Sequence, residues 1–195
     1  LKTLAVTGAV MTVQRSEAMD ILAQKLTNAG GGKVDLVAVM GGEPEAMFQR
    51  AIAEMGGMKQ FIKPGQKVVV KPNIGWDKVP ELAGNTNPKL VAEIVKQCLA
   101  AGAKEVTVFD HTCDDWQKCY KNSGIEAAAK AAGAKVMPAH LESYYKPVSL
   151  PKGKRMKSAK VHEAILNSDV WINVPILKNH GGANLTISMK NHMGI

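Results

Sequence analysis

Three short runs rich in β-branched residues lie at 67–71, 105–110 and 170–174, separated by stretches whose apolar residues recur at helical spacing. That alternation constrains the fold more than any other feature of the chain. A further strand is expected at 34–40 and a short one at 135–138, with helices at 43–55, 123–132 and 159–167. Another helix should start at Thr86-Asn87-Pro88, where Asn caps free amides and Pro suits the first turn, and should run to about Ala101 before Gly102 stops it. Residues 142–157 read as an irregular basic loop. Strands joined by helices of this length call for right-handed crossovers and a mostly parallel sheet with helices on both faces, a Rossmann-like α/β architecture. No glycine-rich dinucleotide fingerprint follows a strand: Met40-Gly41-Gly42 lacks the third glycine and runs into Glu43-Pro44.

Ligands in open α/β sheets bind beyond the carboxyl ends of the strands, and three strand ends here are unusually polar. The first is Lys71-Pro72-Asn73, the second runs from Asp110-His111 through Thr112, Cys113, Asp114 and Asp115, and the third is Asn173-Val174-Pro175 leading to Lys178-Asn179-His180. The Lys-Asn-His triplet returns at Lys190-Asn191-His192, after glycines 181 and 182 and a segment, 185–189, whose alternation suits a strand or, almost as well, a short helix. Lys71, Lys178 and Lys190 can supply positive charge, and Asn73 and Asn191 can orient a ligand. Asp110, His111 and His180 can move protons, since imidazole titrates near neutral pH. The expected function is therefore binding of an anionic small molecule at the carboxyl edge of the sheet, as an enzyme or the remnant of one.

Two other readings use the same residues. Asp110, His111, Cys113 and His180 are chemically able to hold a divalent metal, which would suit a redox accessory protein with a redox partner, although no tight ligand spacing is present. A non-catalytic assembly protein could use Trp116, Tyr144 and Tyr145 at an interface. His140 and His162 are expected at the surface.

The chain of 195 residues is 46% hydrophobic and carries a formal charge of +8. Its densest basic stretch, Lys152, Lys154, Arg155, Lys157 and Lys160, has no interleaved aromatic residue to stack on bases, so a solvated basic loop is expected rather than a nucleic-acid site. The three cysteines form no ferredoxin-type run, so no iron–sulfur cluster is expected in this stretch. Cys98 should be a buried hydrophobe, and in an exported protein Cys113 and Cys119 could pair.

Residues 1–13 are mildly apolar, too few to span a bilayer, and precede the small-residue pattern Ser16-Glu17-Ala18. They fit the end of a signal peptide, and Leu1-Lys2 fits the end of a twin-arginine consensus. The expected division is a signal remnant at 1–18, a linker at 19–33 holding a short helix at 20–27, and an α/β domain at 34–195, incomplete in a fragment cut at both ends. Export would place the protein outside the cytoplasm, periplasmic in a bacterium with two membranes.

Val70-Lys71-Pro72-Asn73, Thr86-Asn87-Pro88, Gly102-Ala103 ahead of the strand reaching Asp110, Asn173-Val174-Pro175 with Lys178 and His180, and Leu185-Thr186 through Lys190-Asn191 to Gly194 occur in the order of one family. With this set the chain resembles the domain of unknown function 362 family over roughly 34–195. The resemblance implies export by the twin-arginine route and association, in some members, with ferredoxin-like iron–sulfur domains. It implies no particular reaction.

Overall fold

The computed structural model describes residues 34–195, so the expected signal remnant, linker and short helix lie outside the described residues. Four parallel strands form the central sheet: β1 (Lys67–Pro72), β2 (Glu105–Val108), β3 (Lys135–Val136) and β6 (Val170–Val174), in the order β3-β2-β1-β6. Between them in sequence come β4 (Tyr145–Ser149) and β5 (Ser158–His162), a separate antiparallel hairpin, and after them β7 (Lys178–His180) and β8 (Asn184–Thr186), a second one. The helices are α1 (Pro44–Glu54), α2 (Pro88–Ala100), α3 (Trp116–Asn122), α4 (Ile125–Ala131) and the single turn α5 (Glu163–Leu166).

Alternation along the strands sorts the core into two layers. Val68 and Val70 of β1, Val106 and Val108 of β2, and Val170 and Ile172 of β6 point to one face, where Val91, Ile94, Val95 and Cys98 of α2, Tyr120 of α3 and Ile125 and Ala129 of α4 complete the main core. Val69, Phe109 and Trp171 point to the other face and pack with Ala139, Tyr145 and the α5 residues Ala164 and Ile165. Burial on both sides explains the unbroken valine run of β1. Asn87 caps α2 by accepting from the Lys89 amide at 2.9 Å, with Pro88 in the first turn, as the sequence predicts.

Several expectations are corrected. Residues 34–40 form no strand: β6 takes the place beside β1, and Leu36 and Met40 stay exposed. The basic loop is a hairpin, because Tyr145–Ser149 pairs with Ser158–His162, and the helix expected at 159–167 shrinks to α5. Alternating Ala159, Lys160 and Val161 satisfied a strand better than a helix once a partner was at hand. Gly124, at φ 72, splits the helix expected at 123–132 from an unforeseen one, α3, whose cap is Asp115 accepting from Lys118 N. Residues 185–189 contribute only the end of β8.

His162 is fully buried, at 0% exposure, not at the surface; it stacks on Phe109 with ring centroids 4.1 Å apart. His140 is exposed and stacks on Trp116. Cys98 is buried as expected, but Cys113 and Cys119 do not pair: Cys113 is exposed in a loop, while Cys119 faces the core from α3. Trp116, Tyr144 and Tyr145 are half-buried and make ring contacts with Tyr120, His140 and His162.

Candidate functional site

The chain runs β1, β2, β3 in one direction across the sheet, then returns to lay β6 on the opposite side of β1. Such a reversal opens a crevice at the carboxyl ends of the strands that flank it. A cleft of about 140 Å³ lies there. Asn73 and Trp76 reach it from the β1 exit, Asp110, His111 and Cys113 from the β2 exit, and Lys178 and His180 from the segment after β6. Lys190, Asn191 and Gly194 close it from the last turn of the chain.

Lys71 lies behind the cleft wall. Its ammonium is 2.5 Å from Asp110 Oδ1, with the two side chains 1% and 2% exposed. Asp110 Oδ2 accepts from the Ile74 amide at 2.6 Å, so both carboxylate oxygens are occupied. Burial pushes the Asp110 carboxyl up, against the pull of Lys71 and of the Ile74 and His111 amides. The Asp110 backbone is held by the Tyr120 hydroxyl, 2.8 Å from both its N and its O.

A chain of amides crosses the wall in one direction. Lys178 Nζ donates to Asn73 Oδ1 at 2.9 Å, Asn73 Nδ2 to Asn191 Oδ1 at 3.4 Å, and Asn191 Nδ2 to Asn173 Oδ1 at 2.8 Å and to the Lys71 carbonyl at 3.1 Å. Asn173 Nδ2 ends it on the Ser188 carbonyl. An ammonium can only donate, so the cation at one end orients every amide that follows. Lys178 also donates to the Gly84 carbonyl and lies 5.8 Å from the Trp76 ring centre. Burial lowers its pKa from the ordinary lysine value.

The two cleft histidines are in opposite tautomers. His111 Nδ1 is 2.8 Å from the Ala139 carbonyl, which only accepts, so Nδ1 carries the hydrogen and Nε2 of the neutral ring is a bare acceptor. His180 Nδ1 accepts from the amides of Gly182 at 3.1 Å and Ala183 at 3.0 Å, so its hydrogen sits on Nε2. One ring offers the cleft a proton acceptor and the other a proton donor.

The two Lys-Asn-His triplets differ in structure. The first is β7, and the second is a 3₁₀ turn. Lys178, His180, Lys190 and Asn191 meet at the cleft, whereas His192 turns away to pack on Trp171, 4.8 Å between ring centres. Asn191 is buried and fully engaged as a brace between β1 and β6. Among the described residues no three His, Cys, Asp or Glu side chains come together as a metal-ligand group.

Sequence reasoning missed the supports. Thr86 Oγ1 accepts from the Asn73 amide and donates to the Val174 carbonyl, both at 2.8 Å, which ties the ends of β1 and β6 together. Tyr145 donates to the Ala139 carbonyl that orients His111. Gly194, at φ 85, passes so close to His111 that an added Cβ would lie 2.5 Å from the histidine Cβ. A glycine following Lys190-Asn191-His192-Met193 was the available signal; the tyrosine offered none.

The thylakoid-associated protein sll1697 of Synechocystis sp. (strain ATCC 27184 / PCC 6803 / Kazusa) is 24% identical over 149 residues, covering 76% of this chain and 45% of the relative. The chain thus spans less than half the length of that relative. No solved structure matches it. No helix among the described residues is long and apolar enough to cross a membrane. The model for the domain of unknown function DUF362 matches residues 68–195, which takes in every described strand but for Lys67 at the start of β1 and every wall of the cleft, and the chain belongs to that family.

Proposed function

We propose that the cleft at the carboxyl edge of the sheet binds a small anionic ligand, with His111 and His180 available to accept and donate a proton. One observation carries this reading: Lys178 and Lys190 line the cleft, while its one carboxylate, Asp110, is already neutralised by Lys71. The excess charge facing a ligand is positive. His180 Nε2–H adds a donor suited to an anionic oxygen, and His111 Nε2 is the group to take a proton from the same ligand. Asp110 then acts through electrostatics and by fixing the β1 and β2 exits rather than by exchanging protons.

Isothermal titration calorimetry with phosphate, sulfate and small dicarboxylates tests the reading. Lys190→Gln removes a half-buried cation without touching the amide chain, and should weaken binding by about tenfold or more. Absence of binding by every anion, or affinity unchanged in that variant, would sink it. A divalent metal is the second reading, since His111, Cys113 and His180 line the same cleft although they are not gathered as a ligand group among the described residues; titration with Zn²⁺ in place of the anions separates the two. An extracytoplasmic location belongs to the same proposal and rests on the signal-like residues 1–18.

A further inference from the structure

The hairpin of β4 and β5 carries a group of charges that the cleft does not use. Its turn holds Lys152, Lys154, Arg155 and Lys157, all exposed and all without an acidic partner among the described residues. The acids near the hairpin are spent elsewhere: Glu142 pairs with Lys160, and Glu163 lies 3.8 Å from Lys146, both on the strands. Met156 stands among the four cations and is 60% exposed.

The turn is built to hold this shape. Leu150 N donates to the Lys157 carbonyl at 2.8 Å and Gly153 N to the Leu150 carbonyl at 2.9 Å. A Cβ on Gly153 would lie 1.9 Å from the Met156 carbonyl oxygen, so no side chain fits there. Four positive charges are thus presented together on a fixed turn, with one apolar side chain among them.

We infer that this turn docks on an anionic lipid bilayer surface. Clustered Lys and Arg are attracted to the negative surface potential of such a bilayer, and an apolar side chain among them gains by entering the headgroup boundary. Nucleic acid fits less well. Residues 150–160 contain no aromatic side chain for base stacking, and the cations sit at one tip rather than along a groove that could follow a backbone. The proposed docking is by this turn; no described helix is long and apolar enough to span a membrane.

The test is co-sedimentation of the full chain with vesicles of phosphatidylcholine alone and of phosphatidylcholine mixed with phosphatidylglycerol. The protein should partition onto the mixed vesicles only, and added salt should release it. Each single change among Lys152→Gln, Lys154→Gln, Arg155→Gln and Lys157→Gln should lower the partition coefficient roughly fivefold. Met156→Ser should lower it further at high salt. The four residues project into solvent, so these variants leave the core intact. The same number of Lys→Gln changes at exposed Lys59, Lys63, Lys118 and Lys121 serves as the control for total charge. Equal binding to both kinds of vesicle, an equal loss in the control variant, or retention by duplex DNA at salt that strips the vesicles would each overturn the inference.

Discussion

Lys71 and Asp110 meet 2.5 Å apart with almost no solvent around either, so each neutralises the only full charge that the other's burial leaves exposed to a low-dielectric surrounding. Removing one partner leaves the other charged and unpaired. Lys71→Met should therefore cost about 3–5 kcal/mol of stability in urea unfolding. The double variant Lys71→Met with Asp110→Asn should recover a large part of that loss. Equal losses in the single and double variants would show that the charge pairing is not what the interior depends on.

The opposite tautomers of His111 and His180 are directly visible to nitrogen-15 NMR of the imidazole rings. At a pH where both are neutral, His111 should show a protonated Nδ1 and His180 a protonated Nε2. Tyr145→Phe removes a hydroxyl that shares the Ala139 carbonyl with His111 and lies 3.2 Å from its ring nitrogen. It frees that carbonyl for His111 Nδ1–H and removes the donor beside Nδ1, so it should lower the proportion of the minor His111 tautomer while leaving His180 unchanged. Finding both rings in the same tautomer would remove the acceptor and donor roles proposed for them.

His162 gives the fold an acid-sensitive point. Burial lowers its pKa below the ordinary 6.5, although the Pro138 carbonyl and Glu163 pull it back up and His111 lowers it slightly. Below about pH 6.5 the unfolded imidazole takes a proton that the folded one refuses, so stability falls as pH descends from there to the folded value. Above that window both states are neutral and the dependence vanishes. Unfolding free energies measured between about pH 7.5 and about pH 5.5 should show a slope of no more than about 1.4 kcal/mol per pH unit from this group. His162→Gln should flatten that part of the profile. An unchanged slope in the variant would assign the sensitivity to other groups.

Much of the sheet was legible because burial leaves a strong sequence signature. Val68-Val69-Val70 is buried on both faces, and the capped start of α2 at Asn87-Pro88 follows from local hydrogen-bonding chemistry. The rule that ligands gather beyond the carboxyl ends of parallel strands located the residues lining the cleft without any contact information. Two features resisted for physical reasons. Residues 158–162 have a period that suits either a strand or a helix, and what decides is a tertiary partner, Tyr145–Ser149, that local sequence does not announce. The roles within the site depend on partners far away in sequence. Lys71 and Asn191 look like ligand-facing groups when read alone, but one is consumed by Asp110 and the other by Asn173 and the Lys71 carbonyl. His162 looked like a surface residue because the ring that stacks on it, Phe109, lies more than fifty positions earlier.

The bond from Asn191 to the Lys71 carbonyl joins residues 120 positions apart, and this has a kinetic consequence. Contacts of such separation form late, because the chain must first lose the entropy of a long closed loop. Strand β1 and helix α2 can pair early during synthesis, while the cleft gains the wall made by Lys190, Asn191 and Gly194 only when that segment returns to the first strand. Under the proposed function, ligand affinity would then require residues 190–194 to be in place. A bound anion would favour the closed arrangement by mass action, so the ligand's concentration would help set how often that last segment comes loose.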